Sequence, residues 1–197
     1  MPTQSLSPHS VSHEADIAKH AQQSTQVWLE RAVIGLNLCP FAKAVHVKGQ
    51  IRYVVSDATE PSMLVEALEA ELSLLHAADP SVCETTLLIA PHCLSDFLVF
   101  NDFLGRADKC LRRLGLSGVL QIASFHPDYQ FAGSEPDDVS NCTNRSPHPT
   151  LHLLREASMD RAVDAFPEAS TIFEANIQRL EALGLEGWNS LGVGAGQ

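Results

Sequence analysis

The chain has 197 residues, a net charge of −11, a pI near 5.1 and an apolar fraction of 45%. That length is enough to bury the core of one domain, and the acidity argues against nucleic-acid or anionic-membrane binding, which needs clustered Lys and Arg. No apolar run approaches the roughly 18 residues of a membrane span, and the opening MPTQSLSPHSVSHEA lacks the apolar core of a secretory leader. Five cysteines (Cys39, Cys83, Cys93, Cys110, Cys142), with no C-x-x-C spacing, suit a reducing cytosol better than a disulfide framework. The expectation is a cytoplasmic protein with neither nucleic-acid nor membrane partners.

Residues 1–13 are rich in Ser, Pro and His and read as a disordered tail. A helix is expected from Glu14 to about Gly35, with Trp28, Ala32 and Gly35 on one side, Leu29, Val33 and Leu36 beside them, and Asn37 and Pro40 as stops. Residues 51–56 (IRYVVS) form a β-type run. Thr59-Glu60-Pro61 opens a helix with proline at its first position. Leu64, Leu68, Leu72 and Leu75 mark its buried face, and Asp79-Pro80 closes it. Residues 85–90 (TTLLIA) are nearly all apolar, as in a central strand covered on both faces.

Ser95 is the expected cap of a helix in which Phe97, Phe100, Leu104, Ala107, Leu111 and Leu114 recur at helical spacing and Gly115 ends the run. A third strand is expected over 118–125 and a fourth over 151–155. Ser158 then caps a short helix to Phe166. Pro167 starts a last helix, with Phe173, Ile177 and Leu180 inward, up to Gly184. Residues 185–197 read as a flexible Gly-rich tail, which leaves 14–184 as a single domain.

Strands alternating with helices imply right-handed crossovers and parallel pairing. The fourth strand follows the third with no helix between, so antiparallel pairing is open to it. The fold class is α/β, a mixed sheet of about four strands with helices packed on it and a long loop between strands 3 and 4.

That loop concentrates chemistry. Residues 124–156 hold His126, His148, His152, Cys142, Arg145 and Arg155, with several carboxylates. Long connections are usually functional or disordered, and ligands collect at the carboxyl ends of parallel strands. His126 stands at such an end. A returning antiparallel strand would bring His152 to the same rim. Imidazole and carboxylate can ligate a divalent metal, which makes His126, Asp128 and His152 candidates, although the spacing matches no standard signature. Imidazole is also a general base near neutral pH. Arg145 and Arg155 can clamp an anion or form internal ion pairs. Cys39 follows a helix end, which raises a thiol's pKa, so it becomes a nucleophile only if a histidine or arginine reaches it.

The blocks at 35–42 (GLNLCPFA), 118–133 (GVLQIASFHPDYQFAG) and 143–158 (TNRSPHPTLHLLREAS) resemble the uncharacterised family catalogued as domain of unknown function 1415. The resemblance runs from about Gln26 to Gly184. It implies no particular activity or cofactor. It does single out Cys39, Pro40, His126, Pro127, Tyr129, Asn144, Arg145, Ser146, His152, Arg155 and Glu156 as motif positions. Cys142 and His148 stand where the family pattern has aromatic side chains, which lowers both as shared site residues.

The leading expectation is a small enzyme acting on a small anionic metabolite. His126, His152 and Cys39 would be catalytic, with Arg145, Arg155, Tyr129, Asn144 and Ser146 binding substrate. The alternatives are a non-catalytic ligand-binding or regulatory module, and a purely structural role for the loop's polar residues.

Overall fold

The computed structural model describes residues 8–165 and 171–194. Four strands, β1 (Ile51–Val55), β2 (Thr85–Ile89), β3 (Leu120–Phe125) and β4 (Thr150–Arg155), form one sheet in the order β1-β2-β4-β3. β1 and β2 pair in parallel; β4 runs antiparallel to both β2 and β3. The fold is therefore a single mixed α/β unit, as the element order implies. The last strand lies inside the sheet, between the second and the third.

One face is covered by α3 (Pro61–Ala77) and α4 (Phe97–Arg113). Leu64, Leu68, Leu72 and Leu75 of α3 are wholly enclosed, and each contributes on the order of 1.5–3 kcal/mol by leaving water. They meet Leu88, Leu120, Leu151 and Leu153 from the sheet. Pro61 occupies the first turn of α3 as expected. The cap of α4 is Asp96 rather than Ser95, with its carboxylate accepting the Val99 N–H at 2.9 Å.

The opposite face carries Ile51, Tyr53, Leu87, Phe125 and His152, under α1 (Pro8–Trp28) and the segment that continues it. Trp28 sits edge-on to Phe125, with ring centroids 5.1 Å apart. From Leu29 to Ile34 the chain widens into a π-helix. Gly35 ends that segment for a steric reason: a Cβ there would collide with the Arg31 carbonyl oxygen. Asn37 then takes a left-handed turn (φ 52°), and α2 (Ala42–Val47) follows.

Two boundary expectations change. The helix expected from Glu14 begins at Pro8, inside the expected tail; residues 1–7 lie outside the described residues. At the other end, α6 (Ile172–Ser190) runs past Gly184, which kinks it at φ 68°, and buries Trp188, with Val193 beyond it also enclosed. Trp188 and Val193 of the Gly-rich segment are thus part of the core; residues 195–197 lie outside the described residues. Phe173, expected inside, is 54% exposed, while Asn176 and Leu180 face inward. The expected helix start at Pro167 and end at Phe166 lie outside the described residues. α5 (Glu156–Ala165) begins directly after β4, so Ser158 caps nothing there. Among the described residues no helix is long and apolar enough to cross a membrane.

Candidate functional site

A cavity of about 760 Å³ opens on the α1 face of the sheet. Its floor is Ile51, Thr85, Leu87, His152 and Leu154, which strand alternation and register put on one side. The chain exit at Cys39 to Ala42 and helix α2 form one wall. Ser158, Met159 and Ala162 of α5 form another, and Leu29 of the π-helical segment adds a further apolar surface. The cavity lies over the amino ends of β1 and β2. The rim expected from the parallel-sheet rule is the opposite one.

His152 is the most constrained polar group on that floor. The Thr85 hydroxyl donates to the Leu153 carbonyl at 2.6 Å and lies 2.7 Å from His152 Nε2. Two oxygens that close need a proton between them, and a threonine has one to give. Toward Nε2 the hydroxyl can only accept, so Nε2 carries the imidazole proton and Nδ1 is left as a bare acceptor. Nδ1 has no hydrogen-bond partner among the described residues and is not sealed off from solvent. Burial pushes the His152 pKa down to about 4, so the ring is neutral at physiological pH even though its edge reaches the cavity.

Cys39 lines the same cavity. Burial raises its pKa, against a weaker pull downward from the Phe41 and Ala42 backbone N–H groups. The helix-end argument had the direction right, but the larger cause is loss of solvent. Lys48, at the end of α2, and Arg161, on α5, stand among the lining residues together with the carboxylate of Glu84.

His126 belongs elsewhere, and the expected His126–His152 pair is corrected here. In the ladder Ala123 opposes His152, so His126, three residues on, points through the other face toward α4. It is wholly buried, its ring 5.4 Å from that of Phe97 and 5.0 Å from that of Phe100. Nε2 meets the Leu94 carbonyl at 3.0 Å, and Nδ1 accepts the Asp128 N–H at 3.0 Å. With both nitrogens engaged, His126 has no lone pair for a metal and no free site for a proton. Desolvation lowers its pKa.

The expected metal set of His126, Asp128 and His152 is therefore split across the sheet. Among the described residues no three His, Cys, Asp or Glu side chains converge in a way that could hold a metal ion.

The remaining motif residues hold the loop together. Asn144 donates from Nδ2 to the Ser124 carbonyl at 3.2 Å, and its own carbonyl accepts the His126 N–H at 3.2 Å. Buried Ser146 donates to the His148 carbonyl at 2.6 Å. Arg145 donates to the carbonyls of Tyr129 (3.2 Å) and Pro136 (2.6 Å). The Tyr129 ring packs between Phe97 and Phe131, and burial raises its pKa. Arg155 Nη2 donates to the carbonyls of Leu75 (2.6 Å), Ala78 (2.7 Å) and Cys83 (3.1 Å), closing the end of α3. These guanidinium donors meet backbone carbonyls, where an anion clamp or internal ion pairs were expected.

At the rim where the site was expected, Asp96, Asp128, Gln130 and Arg145 line a cavity of about 490 Å³. The Asp96 cap and the Arg145–carbonyl bonds already engage its strongest polar groups. Sequence reasoning missed Thr85, Lys48 and Arg161. Thr85 becomes informative only once the β2–β4 register puts its hydroxyl against His152.

A family described as "Protein of unknown function (DUF1415)" matches residues 20–190 of the chain. Comparison with curated proteins and with solved structures finds no significant match.

Proposed function

The chain belongs to this family of unknown function, and from its geometry we propose that it binds a small, largely apolar molecule in the cavity over the amino ends of β1 and β2. The observation that carries the reading is the unpartnered Nδ1 of His152 on an otherwise apolar floor. A ligand that displaces water from the cavity must set a donor against this acceptor or leave it unpaired at a cost in free energy. The volume lies within the range of roughly 300–1,000 Å³ typical of ligand sites, which are mainly apolar with a few placed polar groups.

Binding is favoured over catalysis by the resting protonation states. The Cys39 pKa is raised above its ordinary 9.0, and that of His152 is near 4. Moving the thiol proton to the imidazole is then uphill. The pair rests as neutral thiol and neutral ring. The second reading, an enzyme with Cys39 as nucleophile, is favoured by the two groups lining one cavity. It requires a ligand that makes His152 more basic.

A thermal-shift screen against small metabolites tests the binding reading, run in parallel on the wild type and on Ala162→Trp, which projects bulk into the cavity. Compounds that raise Tm in the wild type and not in the variant support it, because a ligand stabilises the folded state according to its occupancy. A screen in which every stabilising compound acts equally on both proteins overturns it.

A further inference from the structure

We infer that this cavity selects a monocarboxylate with an apolar body and a hydroxyl or N–H group at the end remote from the acid, the donor resting on His152 Nδ1 and the acid at the mouth between Lys48 and Arg161. The inference rests on the binding reading above and gives it a ligand class.

The inner end follows from the Thr85 hydroxyl. Its proton is held by the Leu153 carbonyl at 2.6 Å, so Nε2 must be the protonated nitrogen and Nδ1 the acceptor. A carboxylate laid against Nδ1 would set lone pair against lone pair. A hydroxyl or N–H there makes a bond that no described residue makes. The Thr85–His152 pair thus works as a polarity filter: it admits a donor and rejects an acceptor of the same size. The Arg155 guanidinium, also in the lining, gives Nη2 to three backbone carbonyls, and its Nε is enclosed away from the open cavity, so neither nitrogen is offered to an anion on the floor.

The outer end follows from charge. Lys48 and Arg161 are exposed and come from the two helical walls, and Glu84 is the single carboxylate in the lining. These three groups leave one net positive charge at the mouth, and Arg155 adds a second, bonded to backbone carbonyls, in a protein whose overall charge is −11. The exposed pair of cations with one carboxylate suits a monoanion at the mouth. Between the ends, Leu29, Leu87, Leu154 and Met159 provide apolar surface.

Three probes on one skeleton test the two ends by titration calorimetry: para-hydroxyphenylpropionate, its para-methoxy analogue, and the methyl ester of the hydroxy acid. The hydroxy acid is expected to bind about tenfold more tightly than the methoxy acid, the scale of one lost hydrogen bond at a site that leaves its partner unpaired. It should bind several-fold more tightly than the ester. Thr85→Val, which frees the ring to change tautomer, should erase the hydroxy preference, and Thr85→Ser should keep it. Lys48→Ala with Arg161→Ala should erase the acid preference alone.

In the unliganded wild type, nitrogen-15 shifts of His152 should report the Nε2–H tautomer; an Nδ1–H tautomer overturns the inference whether or not the variants fold. Equal binding of hydroxy and methoxy acids, blocked by Ala162→Trp, overturns it while the binding reading stands. Binding that Ala162→Trp leaves intact overturns both. If none of the probes binds, the ligand class is wrong, and the metabolite screen judges the cavity separately.

Discussion

Ala123 of β3 sits directly across from His152 of β4, and this one pairing decides which histidine meets which side of the sheet. His152 goes with Thr85, Leu87 and the cavity; His126 goes with Phe97, Phe100 and the α3–α4 core. A β3–β4 register slipped by one residue would put both histidines on the same side.

Acidification should destabilise the fold through His152. Its folded pKa, about 4, lies below the ordinary value of 6.5, so the unfolded chain takes up the proton first. Stability is then fully present above about pH 6.5 and is lost as the pH falls toward 4. The loss is at most about 3 kcal/mol from this group. His126 and His148, also shifted down by burial, act in the same direction. Urea denaturation across this window should give a slope that His152→Phe reduces.

His126→Ala should cost about 2–4 kcal/mol, because it empties a wholly enclosed site and strips partners from the Leu94 carbonyl and the Asp128 N–H. Chemical denaturation gives the value. The same variant should leave the cavity's ligand preferences unchanged, since the ring lies on the other side of the sheet.

Arg155→Lys should lose about 1–3 kcal/mol despite keeping the charge. All three carbonyls of Leu75, Ala78 and Cys83 are met by Nη2, the far end of the guanidinium, and a lysine ammonium on its shorter stem stops about one bond short of that point. Hydrogen exchange should rise first at the carboxyl end of α3.

Cys39 should alkylate slowly at neutral pH and faster above pH 9, because burial keeps it a thiol. Mass spectrometry of iodoacetamide-treated protein measures this. Occupancy of the cavity should slow it further, and modification at a rate matching a free cysteine peptide would contradict the buried setting.

Much of the fold was legible in local pattern. Leu64, Leu68, Leu72 and Leu75 announce α3 by spacing, and the apolar TTLLI run announces an interior strand. The antiparallel return of β4 was open in the element order, whereas the direct step from β4 into α5 replaces an expected cap at Ser158. The site was less legible because it depends on pairing. The ligand rule for parallel strands pointed to the carboxyl rim, but β4 enters the sheet between β2 and β3 and brings His152 to the amino ends of β1 and β2. Nothing local distinguishes His126, in an aromatic cage, from His152, on a cavity floor. Arg145 and Arg155 looked like anion clamps because sequence does not reveal which carbonyls a guanidinium will meet.

The position of β4 also sets the order in which the sheet can be completed. β1 and β2 can pair as soon as both exist, but β3 has no ladder with either; among the described residues its neighbour is β4. Until residues 150–155 leave the ribosome, the nascent chain holds a two-stranded parallel fragment and a lone strand. Two edges are then exposed that the finished protein keeps inside. The strand that joins them is the one carrying His152 and Arg155. Sheet closure, cavity floor and the clasp on α3 therefore arrive in a single late step.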